Sequence, residues 1–391
     1  MKGLILEAQW APRKDYSLSE FEKKTGKAIT GSSIWRHPKL KIDSVNAPTP
    51  SPDDVVIRVK YCGVCGSDVH FYETDQDGYM LYPGLTKFPS ILGHEFSGIV
   101  EEVGKKVQDL KPGTPVTCEE MIWCGHCVPC RNGYPNHCTN LEEIGFTIDG
   151  AFADYIVVGS KYCWPVDALV DRYGDFDKAM QAAAFCEPSS VAYNGLFIRS
   201  RGFKPGAYVV IYGAGPIGLA SIALSRAAGA ARVIAFEVSE TRKKLAKTMG
   251  ADDVYDPVAL AKDGTNPRDI VLELTKGEGA DVQVEAAGAM NKSIREMEAS
   301  LAINGKIVII GRAAEQVPMY LEALQVRRSQ IFGSQGHSGH AIFPYVIRMM
   351  GSGRIDMTKA ITSLRPLNEA VDAIEHLSKE RADGKIMVKI S

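Results

Sequence analysis

Four cysteines lie within one stretch of fifteen residues, CGHCVPCRNGYPNHC. They are separated by two, two and seven residues: Cys124, Cys127, Cys130 and Cys138. Four thiolates complete the tetrahedral shell of a structural zinc ion and leave no position open for a substrate. The surrounding lobe, residues 118–140, has little apolar sequence of its own, so bound metal would supply the free energy that orders it. His126 and His137 lie nearby as competing ligands, but the four cysteines are sufficient.

A catalytic zinc ion needs mixed ligands and one exchangeable position. The candidate ligands are scattered along the chain, and their spacing alone does not group them: Cys65, His94, Glu95 and Glu187. Taken singly, a residue of this kind is more often an ordinary core or surface residue than a metal ligand.

The sequence GAGPIG, with Gly213, Gly215 and Gly218, follows the apolar run YVVIY and precedes a helix-like run. In this strand–turn–helix context the pattern predicts a dinucleotide site. The first glycine permits a tight turn, the second lets the backbone approach a pyrophosphate, and the third lets the helix pack on the strand. Pro216 and Ile217 begin the helix, whose free N–H groups favour the phosphates.

The carboxylate of Glu237 follows the next strand, nineteen residues after Gly218. A carboxylate there accepts hydrogen bonds from the ribose hydroxyls and repels a 2′-phosphate, which predicts NAD rather than NADP. Arg242 and Lys243 follow closely, and their positive charges weaken that prediction. The alternative for Glu237 is an ordinary solvated strand end.

The pattern of apolar and turn-forming residues differs between the two halves of the chain. Up to about residue 185, short runs of alternating Val and Ile are broken by Gly and Pro, which predicts an irregular β-rich domain. From residue 186 strand-like and helix-like runs alternate, which predicts a doubly wound parallel sheet and an α/β fold.

Composition narrows the functional classes. The 45 basic and 47 acidic residues give a net charge of −2, so no overall field attracts nucleic acid or an anionic membrane. We find no apolar run long enough for a transmembrane helix and no signal peptide. The nine cysteines all precede residue 187, which favours metal binding over a disulfide framework. We expect a cytoplasmic protein without nucleic-acid or membrane partners.

Five motifs occur in a family-specific order: GVCGSDVH, GHEFSGIVEEVG, the four-cysteine lobe, CEPSSVAYN and GAGPIG. In these motifs nearly the whole chain resembles the zinc-containing medium-chain alcohol and polyol dehydrogenases. The resemblance implies a GroES-like catalytic domain in residues 1–185, a Rossmann NAD-binding domain in 186–345, and a return to the catalytic domain in 346–391. It also implies two zinc ions per chain, one catalytic and one structural, and a homodimer or homotetramer.

The same resemblance assigns the scattered ligands. Cys65 and His94 would bind the catalytic zinc, and Glu95 would bind it or lie beside it. Glu187 takes the position where polyol-type members carry Glu and many simple alcohol dehydrogenases carry Cys. The neighbouring Cys186 leaves open an alignment shifted by one residue.

The resemblance also implies a reaction and a proton path. Zinc acts as a Lewis acid on a substrate hydroxyl, and hydride passes from the substrate carbon to the nicotinamide. Asp68 would orient the zinc-bound histidine. Ser67 and His70 match the positions that carry the proton to water. Their alternatives are a turn serine and a histidine on a helix surface.

Three polar stretches depart from the ordinary family pattern: residues 11–33, 71–89 and 325–344. Polyols need several polar groups that converge, so these departures favour a polyol or cyclic keto-polyol as the substrate. The candidate substrate contacts are Tyr72, Gln335, His337 and His340. Sorbitol-like, threonine-like and other secondary alcohol dehydrogenases are the alternatives within the family. A catalytically silent NAD-binding protein and a zinc-ribbon nucleic-acid module are the alternatives from other classes.

Overall fold

The computed structural model describes residues 1–312 and 316–391. Contacts within the chain divide it into two compact units. The first unit contains Met1–Glu187, Ser363–Arg381 and Lys385–Ser391, and the second contains Pro188–Thr362 and Ala382–Gly384.

Strands dominate the first half of the chain, and helices alternate with strands in the second. The elements up to residue 193 are β1 (Lys2–Trp10), α1 (Glu20–Thr25), β2 (Trp35–Ser44), β3 (Asp54–Gly63), α2 (Gly66–Tyr72), β4 (Ser90–Ile91), β5 (Glu95–Val103), β6 (Pro115–Cys118), β7 (Met121–Ile122), α3 (Val128–Arg131), β8 (Glu142–Glu143), β9 (Tyr155–Gly159), β10 (Cys163–Pro165), α4 (Asp167–Tyr173), α5 (Phe176–Ala184) and α6 (Cys186–Tyr193). A π-helix at Asn194–Arg199 follows directly.

The remaining elements are β11 (Tyr208–Tyr212), α7 (Pro216–Ala227), β12 (Arg232–Phe236), α8 (Glu240–Thr248), β13 (Asp253–Tyr255), α9 (Pro257–Lys262), α10 (Pro267–Leu274), β14 (Ala280–Glu285), α11 (Met290–Ala299), β15 (Leu301–Ile309), α12 (Leu321–Val326), β16 (Gln330–Gly333), α13 (Ile342–Gly351), β17 (Ile361–Pro366), α14 (Ala370–Lys379) and β18 (Lys385–Lys389). Among the described residues, no helix has both the length and the apolar character needed to cross a bilayer.

The main sheet of the first unit is seven-stranded, with the order β10-β6-β5-β3-β18-β17 and with β9 paired to β3. Strand β3 pairs antiparallel with β5, β9 and β18. Its residues Val55, Ile57 and Val59 are fully buried, as the alternation in the sequence predicts. The GroES-like β-rich domain expected from the sequence is confirmed.

A six-stranded parallel sheet forms the centre of the second unit, with the order β13-β12-β11-β14-β15-β16. The order of strands reverses between β11 and β14, and such a switch point is where doubly wound sheets bind nucleotides. Helix α7 begins with Pro216 immediately after Gly215, so the phosphate-binding turn leads directly into a helix N-terminus. The predicted Rossmann domain is confirmed.

The chain returns to the first unit later than the sequence suggested. The expected return at residue 346 falls within α13, which belongs to the second unit; the division places the return at Ser363. Tyr345 of α13 stacks on Tyr193 with ring centroids 6.2 Å apart, and the 3-10 turn Met357–Ala360 contacts α7 and α8. The amphipathic pattern of α13 shows that it is buried but not against which unit.

Candidate metal centres and dinucleotide site

The four cysteines of the lobe converge. Each offers one sulfur atom, and the four atoms lie within 4.8 Å of one another: Cys124, Cys127, Cys130 and Cys138. The short helix α3 follows Cys127, and a 3-10 turn at Pro135–His137 precedes Cys138. The set has the ligand type, number and closeness that one tetrahedral zinc ion needs.

Backbone N–H groups stabilise the thiolate forms of these sulfurs. The N–H groups of Cys127 and Cys124 donate to the sulfurs of Cys124 and Cys138, at 3.4 and 3.3 Å. A hydrogen bond from the backbone of His126 is the main cause that lowers the pKa of Cys124 to about 5, and one from Cys130 lowers the pKa of Cys127 to about 7. Burial raises the pKa of Cys130 to about 12 and also raises the pKa of Cys138. Thiolate is the form that binds zinc, so the backbone favours that form at Cys124 and Cys127, and bound metal would have to stabilise it at Cys130 and Cys138.

Aromatic residues that the sequence analysis did not single out hold the lobe in place. The indole N–H groups of Trp123 and Trp164 donate to the buried carboxylate of Glu119 at 3.3 and 3.1 Å. The carbonyl of Trp123 accepts hydrogen bonds from the Tyr162 hydroxyl and the Lys161 ammonium. These contacts hold Trp123, the residue before the first of the four cysteines, without any contribution from a metal ion.

A second set of metal-binding residues converges in the same unit. The ligand atoms of Cys65, His94 and Glu95 lie within 4.8 Å of one another. Cys65 precedes α2, and His94 lies immediately before β5. Gly93 has a φ of 93°, and a β-carbon there would lie 2.8 Å from the sulfur of Cys62. Only glycine fits this turn, which places His94 beside Cys65.

Negative groups surround the imidazole of His94. The side chain is buried, and within residues 1–312 and 316–391 its Nδ1 has no hydrogen-bond partner. Burial alone would lower the pKa of His94, but a hydrogen bond with Cys65 and the charges of Cys65, Asp68 and Glu187 raise it well above its usual value. Burial raises the pKa of Asp68 to about 6, although its Oδ2 accepts the N–H of Cys65 at 2.8 Å. Sulfur, imidazole and carboxylate ligands in a negative environment fit a catalytic zinc ion.

Lys385 forms a buried ion pair with Glu95. Its side chain is 0% exposed, and its ammonium contacts the Glu95 carboxylate and donates to the carbonyl of Val64 at 3.0 Å. Gly63 makes room for the pair, because a β-carbon there would lie 2.3 Å from Glu95 Oε2. Lys385 was not predicted as a site residue; its only signal in the sequence is that it precedes the apolar run of residues 386–388. Glu95 therefore has a cationic partner within the chain.

The contacts of Cys186 and Glu187 differ, although the residues are adjacent on α6. The sulfur of Cys186 lies 3.8 Å from the backbone carbonyl of Ala182, and burial raises its pKa. The charge of Glu187 raises the pKa values of both His94 and Lys385. These interactions favour Glu187 over Cys186 as the acidic neighbour of the group, although Glu187 is not among the three residues within 4.8 Å of one another.

Ser67 and His70, the expected proton path, lie on α2 directly after Cys65. The Cys65 sulfur and the Ser67 hydroxyl are 3.8 Å apart. The backbone carbonyl of His70 accepts the N–H groups of Leu81 and Tyr82, both at 3.1 Å. The position of His70 therefore depends on the loop that follows α2.

Two of the four predicted substrate contacts are engaged elsewhere. The Tyr72 hydroxyl forms a hydrogen bond with Glu375 of α14, and burial and this carboxylate raise its pKa. The ring of His337 is fully buried and packs edge-on against Phe343, with centroids 4.8 Å apart. The remaining two are exposed: Gln335 and His340.

The loop that carries Gln335 and His340 has an unusual backbone. Positive φ values occur at five of its residues: Gly336, Ser338, Gly339, His340 and Ala341. The side-chain amide of Asn194, the first residue of the π-helix, donates to the carbonyls of Gln335 and Gly336 at 3.4 and 2.8 Å. Strained backbone and π-helices cluster at functional sites, and this loop follows the carboxyl end of β16, the edge of the sheet where ligands bind.

The glycine-rich turn has the geometry that a dinucleotide needs. Gly213 has a φ of 89°, and a β-carbon at Gly218 would lie 1.9 Å from the carbonyl oxygen of Gly213. Beside Gly215 the nearest side-chain atom to such a β-carbon belongs to Arg242, at 3.8 Å. The first and third glycines are therefore required by the fold, while the second faces open space.

Glu237 lies at the end of β12 and holds that turn. Its Oε2 accepts the N–H of Ala214 at 2.7 Å, and its Oε1 accepts the N–H groups of Val238 and Ser239 at 2.7 and 2.8 Å. Arg242 is tied to the carbonyl of Asp383 at 2.8 Å, with its guanidinium near Gly215. One carboxylate and one guanidinium thus flank the turn.

Comparison with known proteins follows the same division of the chain. The family described as the alcohol dehydrogenase GroES-like domain matches residues 51–168, and the family described as zinc-binding dehydrogenase matches residues 216–352. The chain belongs to the zinc-containing medium-chain dehydrogenase family. As in that family of alcohol and polyol dehydrogenases, it combines zinc-binding residues with an NAD(P)-binding domain, which confirms the expected enzyme class and the expected zinc and nicotinamide types of cofactor.

Three relatives of this dehydrogenase show how far the similarity extends. Scyllo-inosose 3-dehydrogenase of Thermotoga maritima is 44% identical over 99% of both chains. L-threonine 3-dehydrogenase of Bacillus subtilis is 35% identical over 87% of this chain and 93% of its own. A solved structure from Thermotoga maritima, described as an alcohol dehydrogenase, superimposes with a TM-score of 0.94 and 42% identity over the whole of both chains.

We expect Cys127→Ser to remove the structural zinc ion alone. Loss of one thiolate opens the tetrahedral shell, so the zinc content should fall from two ions per chain to one. Metal analysis of the purified protein checks this, with Cys163→Ala, a buried cysteine outside both ligand groups, as the control. An unchanged zinc content in Cys127→Ser would contradict the assignment of the lobe.

In the zinc-free protein we expect Lys385→Met to be strongly destabilising, because it leaves the carboxylate of Glu95 buried without a cation. The free energy of unfolding should fall by about 3–5 kcal/mol. Lys389→Met on the same strand is the matched control: its pair with Asp177 is exposed, and its loss should cost about 1 kcal/mol or less. Denaturant unfolding of both variants measures the difference, and equal losses would show that burial of the Lys385 pair has no special weight.

Proposed function

We propose that this dehydrogenase transfers a hydride from a secondary alcohol of a cyclic keto-polyol of the scyllo-inosose type to NAD⁺. The observation that carries the proposal is the 44% identity to scyllo-inosose 3-dehydrogenase over 99% of both chains. The stretches WCGHC and GSQGHSGH and the long tyrosine-containing loop before His94 also resemble that enzyme. The resemblance therefore includes regions outside the zinc and glycine motifs common to the family.

We assign Cys65, His94 and Glu95 as the protein ligands of the catalytic zinc ion. Their ligand atoms lie within 4.8 Å of one another, and they supply the mixed sulfur, nitrogen and oxygen set of an open zinc site. Glu187 completes the negative environment and is the alternative carboxylate ligand. Lys385 holds the Glu95 side chain and offsets part of the negative charge of the group.

Zinc, when bound, supplies the Lewis acidity that lowers the pKa of a substrate hydroxyl. Asp68 holds the Cys65 backbone and places a carboxylate near His94, which supports a role in orienting the imidazole. The Ser67 hydroxyl lies 3.8 Å from the Cys65 sulfur, so it would be near a substrate hydroxyl held at this group of ligands. His70, on the same helix, then accepts the proton and exchanges it with water.

We propose NAD as the cofactor because of Glu237. The carboxylate lies at the end of β12, directly beside the glycine-rich turn, where the ribose hydroxyls of a dinucleotide are recognised. A 2′-phosphate would bring two negative charges close to this anion. The Arg242 guanidinium lies close to Gly215, and we assign it to the phosphates of NAD rather than to a 2′-phosphate.

Gln335 and His340 are the substrate contacts that we retain from the sequence analysis. Both are exposed on the loop that Asn194 anchors, and both carry groups that can hydrogen-bond hydroxyls of a polyol. We leave out Tyr72 and His337, because the first is bonded to Glu375 and the second is packed on Phe343.

We expect the zinc-loaded enzyme to form NADH from scyllo-inosose with a kcat/KM about tenfold or more above the values for sorbitol, L-threonine and simple alcohols. Following NADH absorbance across this panel tests the substrate class. Cys65→Ala and His94→Ala should abolish turnover while NAD⁺ still binds. A preference for L-threonine would contradict the proposed substrate and would indicate the function of the Bacillus subtilis relative. No turnover with any alcohol, despite two bound zinc ions, would indicate a catalytically silent NAD-binding protein.

We expect Glu237→Ala to weaken NAD⁺ binding and to narrow the preference for NAD⁺ over NADP⁺. A charge-assisted hydrogen bond to the ribose contributes about 1.5–3 kcal/mol, or about ten- to hundredfold in KM for NAD⁺. Steady-state kinetics with both cofactors measure the change. Glu240→Ala, an exposed glutamate at the start of α8, is the control and should leave both KM values unaltered. An unchanged cofactor preference in Glu237→Ala would remove Glu237 from the cofactor site.

A further inference from the structure

Residues 11–33 form a polar segment, here called the brace, that lies outside the matched family region of residues 51–168. The brace contains a 3-10 turn at Gly31–Ser33 and the short helix α1, which begins with a capping box between Ser19 and Glu22 and ends at Gly26 in the left-handed conformation. Its sequence therefore specifies a defined local structure rather than an unstructured insertion.

The carboxylate of Glu22 holds the brace together internally. Although charged, its side chain is only 1% exposed. One oxygen accepts the Tyr16 hydroxyl at 2.8 Å and the N–H of Ile29 at 2.9 Å, and the other accepts the N–H and the hydroxyl of Ser19, both at 2.8 Å. Four hydrogen bonds satisfy the buried charge, so the two ends of the brace are tied to one carboxylate.

The brace pairs with the backbone of residues 73–89, here called the tyrosine loop. Ala28 and Thr86 exchange two backbone hydrogen bonds, at 2.8 and 2.9 Å, and the N–H of Gly31 donates to the carbonyl of Gly84 at 3.0 Å. The Trp35 indole N–H, just beyond the brace, donates to the Thr86 hydroxyl at 3.1 Å. One end of the tyrosine loop is thus fixed as part of a small ladder.

Arg13 fixes the other end of the tyrosine loop. Its guanidinium forms an ion pair with Asp75, and its Nε donates to the carbonyl of Ser32 at 3.1 Å. The same guanidinium lies 3.9 Å from the centre of the Tyr79 ring, which is a cation–π contact. Asp75 in turn accepts the backbone N–H groups of Asp77 and Tyr79, both at 2.9 Å. Arg13 therefore holds the residue on which the tip of the loop is folded.

The tyrosine loop leads directly to the candidate catalytic residues. The N–H groups of Leu81 and Tyr82 both donate to the carbonyl of His70, at 3.1 Å. The Tyr82 ring packs on Phe146 with centroids 5.4 Å apart, and Phe146 packs on His94 at 4.7 Å. A continuous set of contacts runs from the brace to the predicted proton-relay histidine and to the predicted zinc-ligand histidine.

A second contact joins the brace to the same aromatic group. Lys27 forms an ion pair with Glu142 of β8, and both side chains are partly buried. Thr147 donates from its hydroxyl to Glu142 at 2.5 Å, and the next residue towards the N-terminus is Phe146. The brace therefore holds both the turn after β8, whose Phe146 contacts His94, and the tyrosine loop, whose Tyr82 packs on Phe146.

We propose that the brace positions His70 and His94 for reaction with the alcohol substrate, and that Arg13 is the positioning residue within the brace. A loop as long as residues 73–89 would sample many conformations, and ordering it during each substrate encounter would reduce kcat/KM. The brace orders the loop in advance, so that His70 and His94 keep one geometry. This inference rests on the proposed catalytic roles of those histidines, but it is independent of which alcohol the enzyme oxidises.

The test compares Arg13→Ala with Arg58→Ala in the holoenzyme. Arg58 also belongs to the first unit and forms an exposed ion pair with Glu101 at 3.1 Å, so its removal controls for the loss of a surface arginine. In Arg13→Ala we expect kcat/KM for the alcohol to fall about tenfold or more, because small displacements of reacting groups have large effects on rate. The KM for NAD⁺ should stay within about twofold, since Arg13 lies in the other unit from the glycine-rich turn.

Arg13→Lys separates a positioning role from general stabilisation. Lysine keeps the charge opposite Asp75 but lacks the planar guanidinium that stacks on Tyr79, so kcat/KM should lie between those of the wild type and Arg13→Ala. Hydrogen exchange in residues 73–89 should increase in the same order. The proposal is overturned if Arg13→Ala keeps the wild-type kcat/KM, or if its kcat/KM and its KM for NAD⁺ change together with a lowered melting temperature. The measurements use the alcohol that the wild type oxidises best, so failure on scyllo-inosose alone would count against the proposed substrate and not against the brace.

Discussion

The first unit depends on a balance of charge in a buried region. Asp68, Glu95 and Glu187 are buried close to the imidazole of His94, and the thiol of Cys65 adds a further potential anion. Burying several carboxylates without cations would be strongly unfavourable. Lys385 supplies one positive charge from the last strand of the chain, and the convergence of sulfur, imidazole and carboxylate ligands provides a place for a second. The same buried charges that would destabilise the domain on their own would favour the binding of a cation.

The parts of the site that the sequence predicts well are local in sequence and chemically specific. The cysteines of the lobe lie within fifteen residues, and Gly213 and Gly218 have steric requirements that follow from their places in a strand–turn–helix unit. The two-domain α/β fold is equally accessible, because alternating apolar residues and repeated β–α units are local patterns too. In each of these cases the residues that decide the prediction lie within one short stretch of the chain.

The parts that the sequence does not predict depend on contacts between distant residues. Lys385 and Glu95 are 290 positions apart, and the sequence pattern of neither strand indicates that the two strands lie together. His337 lies in a glycine-rich stretch that resembles a solvated turn, yet its ring is buried against Phe343. The late return of the chain at Ser363 has the same origin, because an amphipathic helix shows that it is buried without showing against which domain. Distant pairing and choice of packing partner are properties of the folded chain.

For the cofactor role that we propose for Glu237, the hydrogen bonds of its carboxylate have a consequence. Both carboxylate oxygens already accept backbone N–H groups from residues on two sides, so the side chain cannot rotate away from the mouth of the turn. A flexible acid would swing towards solvent when a bulkier anion arrived and would give up most of its repulsion. An acid locked by the main chain keeps its charge in place at no cost in side-chain entropy, and discrimination then comes from rigidity as much as from charge.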